Sequence, residues 1–383
     1  MLYKDFQGLK LSKLGLGCMR LPIIGDDTAN IDKEKTAEMI EYAMKNGINY
    51  YDTAWPYHNQ QSELVVGEIL KKYPRDSFYL ASKFPGFNDE NFTKGPEIFE
   101  RQLEKCQVGY FDFYLLHNVN EGNVDNYLNK DLGVVEYLLE QKKVGRIRHL
   151  GFSCHGQLDV LERTLDAYPE LEFCQIQLNW LDWRLQRADE KVALLNSRNV
   201  PVWVMEPVRG GKLVDIGEEF EKELKALRPE EGNPAWALRF VDGIPGVTMI
   251  LSGMSNMDQL KENIKTMAED KPLSESERAT LLSITDEMMR KNTLPCTACR
   301  YCIEENDCPM GLNIPRIMAI YNEMLYNNGG TTAPRFMGSL PDDKKPSACI
   351  GCGACAAVCP QGLDIPGMMV DFMEKYKGFY EEK

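Results

Sequence analysis

The sequence lacks any excess of basic residues, and this lack limits the partners that the protein can have. Lysine and arginine total 44 residues against 58 aspartates and glutamates, so the formal net charge is −14. A surface with this charge repels the phosphates of nucleic acids and the headgroups of anionic membranes. We therefore expect no nucleic acid and no membrane among its partners.

Long apolar runs are missing as well. No stretch approaches the roughly 18 unbroken apolar residues that a membrane helix requires. The opening residues, MLYKDFQGLKLSKLG, have no apolar segment of the kind found in signal peptides. We expect a soluble protein that works in the cytoplasm.

The sequence does contain a repeated alternation of short apolar runs and longer amphipathic segments. Eight units over about 250 residues match the usual size of a closed (β/α)8 TIM barrel, with parallel strands covered by helices. Residues 4–12 predict a hairpin at the bottom of this barrel, and residues 33–46, 96–107 and 132–144 predict three of its helices. The predicted strands are LGLGC (14–18), INYYDTA (48–54), FYLASKF (78–84), FDFYLLH (111–117), HLGFSC (149–154), EFCQIQLN (172–179), VPVWVMEP (200–207) and GVTMILSG (246–253).

The alternation stops after Pro272. Residues 274–292 predict one capped helix, and a cysteine-rich sequence follows it. We predict a domain boundary near residue 290. The barrel would occupy residues 1–290, and a small, mainly α-helical domain would occupy residues 291–383.

Eight of the twelve cysteines lie in two groups after residue 295, at spacings that suit metal better than disulfides. The second group has the spacing C-x2-C-x2-C-x3-C-P, which is typical of [4Fe–4S] ligands. The first group has five residues, instead of three, between its third and fourth cysteines. The first group consists of Cys296, Cys299, Cys302 and Cys308, and the second of Cys349, Cys352, Cys355 and Cys359.

In two-cluster ferredoxins the fourth cysteine of each group binds the other cluster. We therefore assign Cys359 to the cluster of the first group and Cys308 to the cluster of the second. The segment resembles the helical dicluster ferredoxin domains. A zinc site is the alternative, although zinc sites normally use pairs of C-x2-C cysteines instead of triplets. The four other cysteines are predicted to pack in the barrel: Cys18, Cys106, Cys154 and Cys174.

Polar residues end three consecutive predicted strands of the barrel. Asp52 ends the second strand, with Tyr57 five residues later, Lys83 ends the third and His117 ends the fourth. Active sites of such barrels lie at the carboxyl ends of the strands, where these side chains would be neighbours. Each one alone has an ordinary explanation, since Asp52 could begin a turn, Lys83 could reach solvent and His117 could be a core residue.

These four positions resemble the catalytic tetrad of the aldo-keto reductase superfamily. The resemblance extends over roughly the first 270 residues, through GFSCHG (151–156), CQIQLNW (174–180), EPVRGGKL (206–213) and SGMSNMDQLKEN (252–263). It implies an oxidoreductase that uses a nicotinamide cofactor, NADP(H) or NAD(H), on a small carbonyl or alcohol substrate.

The chemistry of the four side chains agrees with that implication. Carbonyl reduction needs a proton on oxygen, and a phenol with a pKa of about 10 is a reluctant donor unless its anion is stabilised. We expect the Lys83 ammonium to lower the pKa of Tyr57, and Asp52 to keep Lys83 charged. His117 would orient the carbonyl oxygen by a hydrogen bond.

The resemblance also implies positions for the cofactor. Ser153 and Gln175 match residues that hold the nicotinamide, whereas Cys154 and Met205 replace an asparagine and a stacking aromatic residue. Gly253 and Gln259 occupy places where relatives often carry a cation for a ribose 2′-phosphate. The remaining cofactor positions that the resemblance implies are Pro207, Arg209 and Gly210 after the seventh strand, and Ser252, Glu262 and Asn263 after or beyond the eighth.

Three hypotheses about function follow. Nicotinamides move two electrons as hydride and iron–sulfur clusters move one at a time, so cooperation between the domains requires a converter. The first hypothesis is a nicotinamide-dependent oxidoreductase with an electron-transfer module, which could have a ferredoxin-like electron donor or acceptor as partner. The second is a flavin-binding electron-transfer oxidoreductase on the same barrel. The third is a non-catalytic regulatory barrel with structural clusters.

Overall fold

Eight parallel strands form a closed barrel in the computed structural model, which describes residues 1–296, 299–304, 306 and 308–381. The predicted TIM barrel is therefore confirmed. Its strands are almost fully buried, because helices cover their outer faces and side chains fill the interior. In barrel order from the first strand they are β3 (Leu14–Gly17), β4 (Tyr50–Asp52), β5 (Tyr79–Phe84), β6 (Phe111–Val119), β7 (Ile147–Cys154), β8 (Cys174–Gln177), β9 (Val202–Met205) and β10 (Val247–Ser252), which closes onto β3.

Helices follow the barrel strands as the alternation predicts. The predicted helix 96–107 runs from Gly95 to Cys106 and ends because Gln107 adopts a left-handed conformation, with φ of 54°. Several short helices were not predicted, because they interrupt loops without an apolar period. The helices up to residue 292 are α1 (Lys33–Lys45), α2 (Ser62–Leu70), α3 (Asp89–Thr93), α4 (Gly95–Cys106), α5 (Val124–Leu128), α6 (Val134–Lys143), α7 (Leu158–Ala167), α8 (Asp182–Leu185), α9 (Ala188–Ser197), α10 (Glu218–Leu227), α11 (Asn233–Asp242), α12 (Met257–Ala268) and α13 (Glu275–Asn292).

The predicted hairpin closes the bottom of the barrel. Strands β1 (Tyr3–Phe6) and β2 (Leu9–Ser12) pair antiparallel, and Phe6 is buried. The Phe6 ring lies 5.7 Å from that of Phe113 and 5.0 Å from that of Trp203, both of which point into the barrel. Aromatic packing therefore fills the end of the barrel opposite the candidate site.

The chain divides into two compact units. The first comprises Met1–Trp183 and Arg187–Leu281, and the second comprises Arg184–Gln186 and Leu282–Lys383. The domain boundary near residue 290 stays a prediction, because compactness alone does not show that the parts fold separately.

The second unit is helical around its own apolar core. Buried Tyr321 and Phe372 contact each other there, with ring centroids 5.3 Å apart. Asn313 and Asp364 cap two of its helices by accepting hydrogen bonds from backbone amides. Its helices after residue 292 are α14 (Tyr301–Glu304), α15 (Ile314–Asn327), α16 (Thr332–Ser339), α17 (Ala354–Ala357) and α18 (Ile365–Tyr380).

Within the described part of the chain, no helix is both long enough and apolar enough to cross a membrane.

Candidate active site

Three neighbouring strands bring the predicted tetrad to the carboxyl end of the barrel. Asp52 is the last residue of β4, Lys83 lies near the end of β5 and His117 lies near the end of β6. Asp52 is in register with Ala81, so Lys83 stands one pleat further along the next strand on the same face. These three side chains are buried, whereas Tyr57 in the following loop is partly exposed.

Lys83 connects the members of this group. Its Nζ donates to Asp52 Oδ1 at 2.6 Å, to the backbone oxygen of Thr53 at 2.8 Å and to the Tyr57 hydroxyl at 3.2 Å. An ammonium has three donors, and these three acceptors use all of them. The buried Lys83 charge is therefore compensated by one carboxylate and held in one orientation.

Burial and this ion pair set the protonation states. Burial raises the pKa of Tyr57, and the Lys83 ammonium opposes that rise without cancelling it. Lys83 thus acts on the Tyr57 pKa in the expected direction, but desolvation of the phenolate is the larger effect and the pKa is raised. Burial alone would lower the pKa of Lys83, but Asp52 and Tyr57 outweigh it and the pKa is raised. Burial likewise raises the pKa of Asp52 against the effect of Lys83.

His117 and Tyr57 face the same space at the barrel mouth. Their rings meet edge to face with centroids 5.9 Å apart, and the ring of Phe87 lies 5.0 Å from that of His117. The hydroxyl of Tyr127 donates to the backbone oxygen of His117 at 2.9 Å. A carbonyl compound bound here would contact the polar rings of Tyr57 and His117 and the aromatic ring of Phe87.

His58 anchors the loop that carries Tyr57, and the sequence reasoning missed it. His58, Asn59 and Gln60 all have positive φ, which makes a left-handed turn directly after Tyr57. The buried His58 ring receives a hydrogen bond from the Leu21 amide on Nε2 and contacts the Thr28 oxygen through Nδ1. The proton must then lie on Nδ1, because Nε2 accepts. No motif spacing marks this residue.

A second set of missed residues lies behind Lys83, between the strands and the helix layer. Gln102 Nε2 donates to the backbone oxygen of Lys83 at 3.0 Å and to Glu63 Oε1 at 2.6 Å. Glu63 also accepts from Ser82 at 2.6 Å and from Lys105 at 2.8 Å. All of these polar groups are buried, so their mutual hydrogen bonds fix the β5 backbone at Lys83.

The predicted nicotinamide positions lie on β7 and β8. The Ser153 hydroxyl accepts from the Asn118 amide at 2.7 Å. Gln175 Oε1 is buried and accepts no hydrogen bond from any residue in the described ranges. Such an acceptor fits an amide donor of the nicotinamide carboxamide. Met205 is half-buried at the end of β9 and fits an apolar contact with a ring.

The predicted cofactor positions in the loops after β9 and β10, where phosphate groups bind in many barrels, differ in their burial. Arg209 is buried, and its Nε donates to the buried Asp182 at 2.9 Å, so an internal carboxylate already compensates its charge. Pro207 is buried, whereas Gly210 and Gly253 are exposed. Arg20, which the sequence reasoning missed, lies against both glycines: a Cβ built on Gly253 would lie 3.3 Å from Arg20 Cδ, and one on Gly210 would lie 3.1 Å from its Nη2.

The predicted cofactor positions on α12 and at the end of β10 make hydrogen bonds within the loop that joins these two elements. Gln259 Oε1 accepts from the Ser255 amide at 2.8 Å, and Asn263 donates to the Ser252 hydroxyl at 3.1 Å. Glu262 is exposed, and its carboxylate lies 3.2 Å from a Cβ built on Gly232. Asn263 and Ser252 are both buried, so their direct role is to connect the helix to the end of β10.

The second unit gathers the cysteines around two cavities. One is lined by Cys296, Cys299, Cys302 and Cys359. The other is lined by Cys308, Cys349, Cys352 and Cys355. Each cavity thus has three cysteines of one group and the fourth of the other, which is the arrangement that the ferredoxin pattern predicts.

The walls of the two cavities share apolar residues, such as Ile314 and Ile365. Among the described residues, no three histidines, cysteines, aspartates or glutamates are placed to hold one metal ion. A repeat that the sequence reasoning missed explains the likeness of the cavities, since CPMGLNIP (308–315) and CPQGLDIP (359–366) each follow one group's third cysteine.

Comparisons with known proteins agree with both parts. The model of the aldo/keto reductase family matches residues 13–286, and a 4Fe-4S dicluster domain matches residues 295–363. A Glycine max protein named as an aldo-keto reductase is 29% identical over 232 residues, which are 57% of this chain and 64% of that protein.

Solved structures of aldo-keto reductases share the barrel. The holo form of one from Bacillus halodurans is 27% identical, with a TM-score of 0.61, and the match covers 74% of this chain and 96% of that one. One from Klebsiella pneumoniae in complex with NADPH is 20% identical, with a TM-score of 0.59 and the same coverage of 74% and 96%. The chain belongs to the aldo/keto reductase family and carries, after its barrel, a 4Fe-4S dicluster domain.

Proposed function

We propose that the barrel reduces a small carbonyl compound with a nicotinamide cofactor, and that Tyr57 supplies the proton. One observation carries this proposal: the buried Lys83 ammonium contacts both Asp52 and the Tyr57 hydroxyl. A protonated phenol beside a fixed ammonium can give its proton to oxygen, because the ammonium stabilises the phenolate that forms.

Each member of the tetrad has a distinct role in this proposal. Tyr57 donates its proton to the carbonyl oxygen, and its raised pKa keeps it protonated until that moment. Asp52 holds Lys83 charged, and His117 orients the oxygen from the other side. A bound nicotinamide supplies the hydride.

The cofactor site is proposed from the same end of the barrel. The buried Gln175 oxygen and the Ser153 hydroxyl would hold the nicotinamide carboxamide, and Met205 would contact its ring. NADPH is bound by the Klebsiella pneumoniae protein, which has the same barrel. Gly253 and Gln259 offer no cation to a 2′-phosphate, so we propose that this chain accepts NAD(H) as well as NADP(H).

We further propose that the two cavities of the second unit hold [4Fe–4S] clusters, each bound by the four cysteines that line it. The clusters would supply one-electron transfer to or from a ferredoxin-like partner. Coupling to hydride chemistry would require a two-electron converter such as a flavin. Anaerobically purified protein decides between nicotinamide and flavin, because a bound flavin adds sharp visible bands to the broad iron–sulfur absorbance.

The proposal is tested by the variant Tyr57→Phe. Turnover of small aldehydes with NADPH or NADH should fall at least about 100-fold, the usual contribution of a general acid. Nicotinamide binding, measured by quenching of protein fluorescence, should stay within about threefold, since the ring remains. Exposed Tyr3→Phe in the bottom hairpin is the matched control. Turnover that survives in Tyr57→Phe would contradict the proposal and favour the regulatory hypothesis.

A further inference from the structure

The charged side chains at the loops after β9 and β10 differ in how accessible they are to a ligand. Phosphate groups bind at these two loops in many barrels, and a dianion needs a positive partner there. Of the two cations in the loop after β9, Arg209 has its guanidinium buried against Asp182, whereas Lys212 is exposed. Asp182 also accepts from Gln177 and Asn179, so this buried network supports the loop from below.

Arg20 stands at the same place from a different part of the chain. It follows β3, the strand next to β10, and its stem packs against Gly253 while its guanidinium reaches Gly210. A Cβ at either position would crowd the Arg20 side chain, at 3.3 Å or 3.1 Å, so the two glycines leave room for these contacts. The two loops and Arg20 therefore form one surface.

The Arg20 guanidinium is exposed and its donors are largely unused. Its side chain is 47% exposed, and the ion pair from its Nη2 to Glu206 Oε1 is long, at 3.5 Å. No hydrogen bond joins the guanidinium to any residue that the structure describes. A guanidinium has five donors in a planar fork, which suits two oxygens of a phosphate.

The backbone under Arg20 and Glu206 is held in place. Leu21, the next residue, donates its amide to the buried His58 ring at 3.0 Å. The backbone oxygen of Glu206 accepts from the Asn179 side-chain amide at 3.0 Å and from the Arg209 backbone amide at 2.9 Å. Hydrogen bonds therefore anchor the backbone from which the two charged side chains extend.

We propose that Arg20 binds the pyrophosphate of the dinucleotide cofactor, and that Glu206 is the counter-charge which the pyrophosphate displaces. This assignment rests on the nicotinamide cofactor proposed above. A phosphate is the stronger partner, since it offers Arg20 two oxygens at hydrogen-bond distance in place of one distant carboxylate. Glu206 then opposes binding, because it competes for Arg20 and repels the phosphate.

The test is equilibrium binding of NADH and NADPH to the full-length protein, followed by protein fluorescence under anaerobic conditions. Arg20→Gln should raise Kd for both nucleotides by the same factor, roughly 10- to 100-fold, as for a lost charge-assisted hydrogen bond. Glu206→Gln should lower Kd severalfold, because it removes the competing carboxylate. Arg20→Lys keeps the charge but loses the fork, and should give an intermediate Kd.

Opposite effects of Arg20→Gln and Glu206→Gln would show that Arg20 binds the cofactor directly. If the Arg20–Glu206 ion pair only stabilised the loops, removing either partner would weaken binding. The control is Lys10→Gln, which removes the same charge from an exposed position in the bottom hairpin. Equal weakening by Arg20→Gln and Glu206→Gln, an unchanged Kd in Arg20→Gln, or a loss confined to NADPH would overturn the assignment. Wild-type protein that binds neither nucleotide would overturn the cofactor proposal itself.

Discussion

At the barrel mouth, Lys83 reaches Asp52 and Tyr57, which lie 31 and 26 residues away in sequence, through contacts between neighbouring strands. In the second unit, cysteines only three residues apart in sequence line each cavity. The barrel residues are held in place by hydrogen bonds to one another. The cysteines of the second unit line two cavities, and a bound cluster would hold the cysteines of each cavity together.

This difference has a consequence for stability and for function. The barrel site has its charges compensated before any ligand binds, so its geometry should depend on the fold alone. The cysteine sites should depend on metal, because metal–ligand bonds contribute folding energy where a small core is not sufficient. Four changes test this contrast, beginning with the one that should have the largest effect.

Lys83→Met should be the most damaging single change in the barrel. It leaves Asp52 buried without its partner, which typically costs about 3–5 kcal/mol of unfolding free energy. It also removes the charge that stabilises the Tyr57 phenolate, so turnover should fall at least about 100-fold. Urea unfolding and steady-state kinetics measure both. A variant as stable as the wild type would show that the Lys83–Asp52 pair does not hold the site.

Cys352→Ser should affect the second unit alone. Wild-type protein should carry about eight iron and eight sulfide ions per chain, and the variant about four of each. Where a flavin converter is bound to the barrel, its reduction by a one-electron viologen donor should be lost, whereas nicotinamide-driven turnover should remain.

The matched control for Cys352→Ser is Cys106→Ala, since Cys106 is buried in α4 of the barrel. This variant should keep all of the iron. Zinc without sulfide in the wild-type protein would contradict the cluster assignment, and equal donor-driven rates in wild type and Cys352→Ser would leave the clusters with a structural role only.

Gln102→Met tests whether the network behind Lys83 positions it. The variant removes the donor to the Lys83 backbone and to Glu63, at a cost of about 1–3 kcal/mol of unfolding free energy. Turnover should fall severalfold, because the β5 backbone loses one constraint. Gln141→Met, at a buried glutamine of α6, is the control and should lower stability without changing turnover. Equal turnover losses in both variants would indicate general destabilisation.

The pH profile of reduction should show the smallest effect. A proton donor works below its pKa and is lost as pH rises through it, and the pKa of Tyr57 is raised. The value of kcat/KM should therefore change less than about twofold between about pH 6 and pH 9, and should fall only above the ordinary phenol pKa of about 10. A fall that begins near neutral pH would show that Lys83 outweighs burial after all.

Much of the molecule was predictable because its signals are local. Each buried strand is a short apolar run, so the barrel and the hairpin at its base could be predicted from the sequence, whereas the family was predicted from a resemblance of the strand-end residues. The spacing of Cys349, Cys352 and Cys355 indicates a cluster by itself, since three thiolates of one turn face one space. The site residues Asp52, Lys83 and His117 stood out because each is a polar group at the end of an apolar run.

The sequence by itself determined the strand order, the polar residues at the strand ends and the grouping of the cysteines, because these depend on neighbours in the chain. Only the tertiary structure decided which charges are free. Arg209 looked available and is buried against Asp182, whereas Arg20 reaches the phosphate loops from the first strand of the barrel. It also decided that burial outweighs Lys83 in raising the pKa of Tyr57. Desolvation and ion pairing depend on residues distant in sequence, and barrel closure is what brings them together.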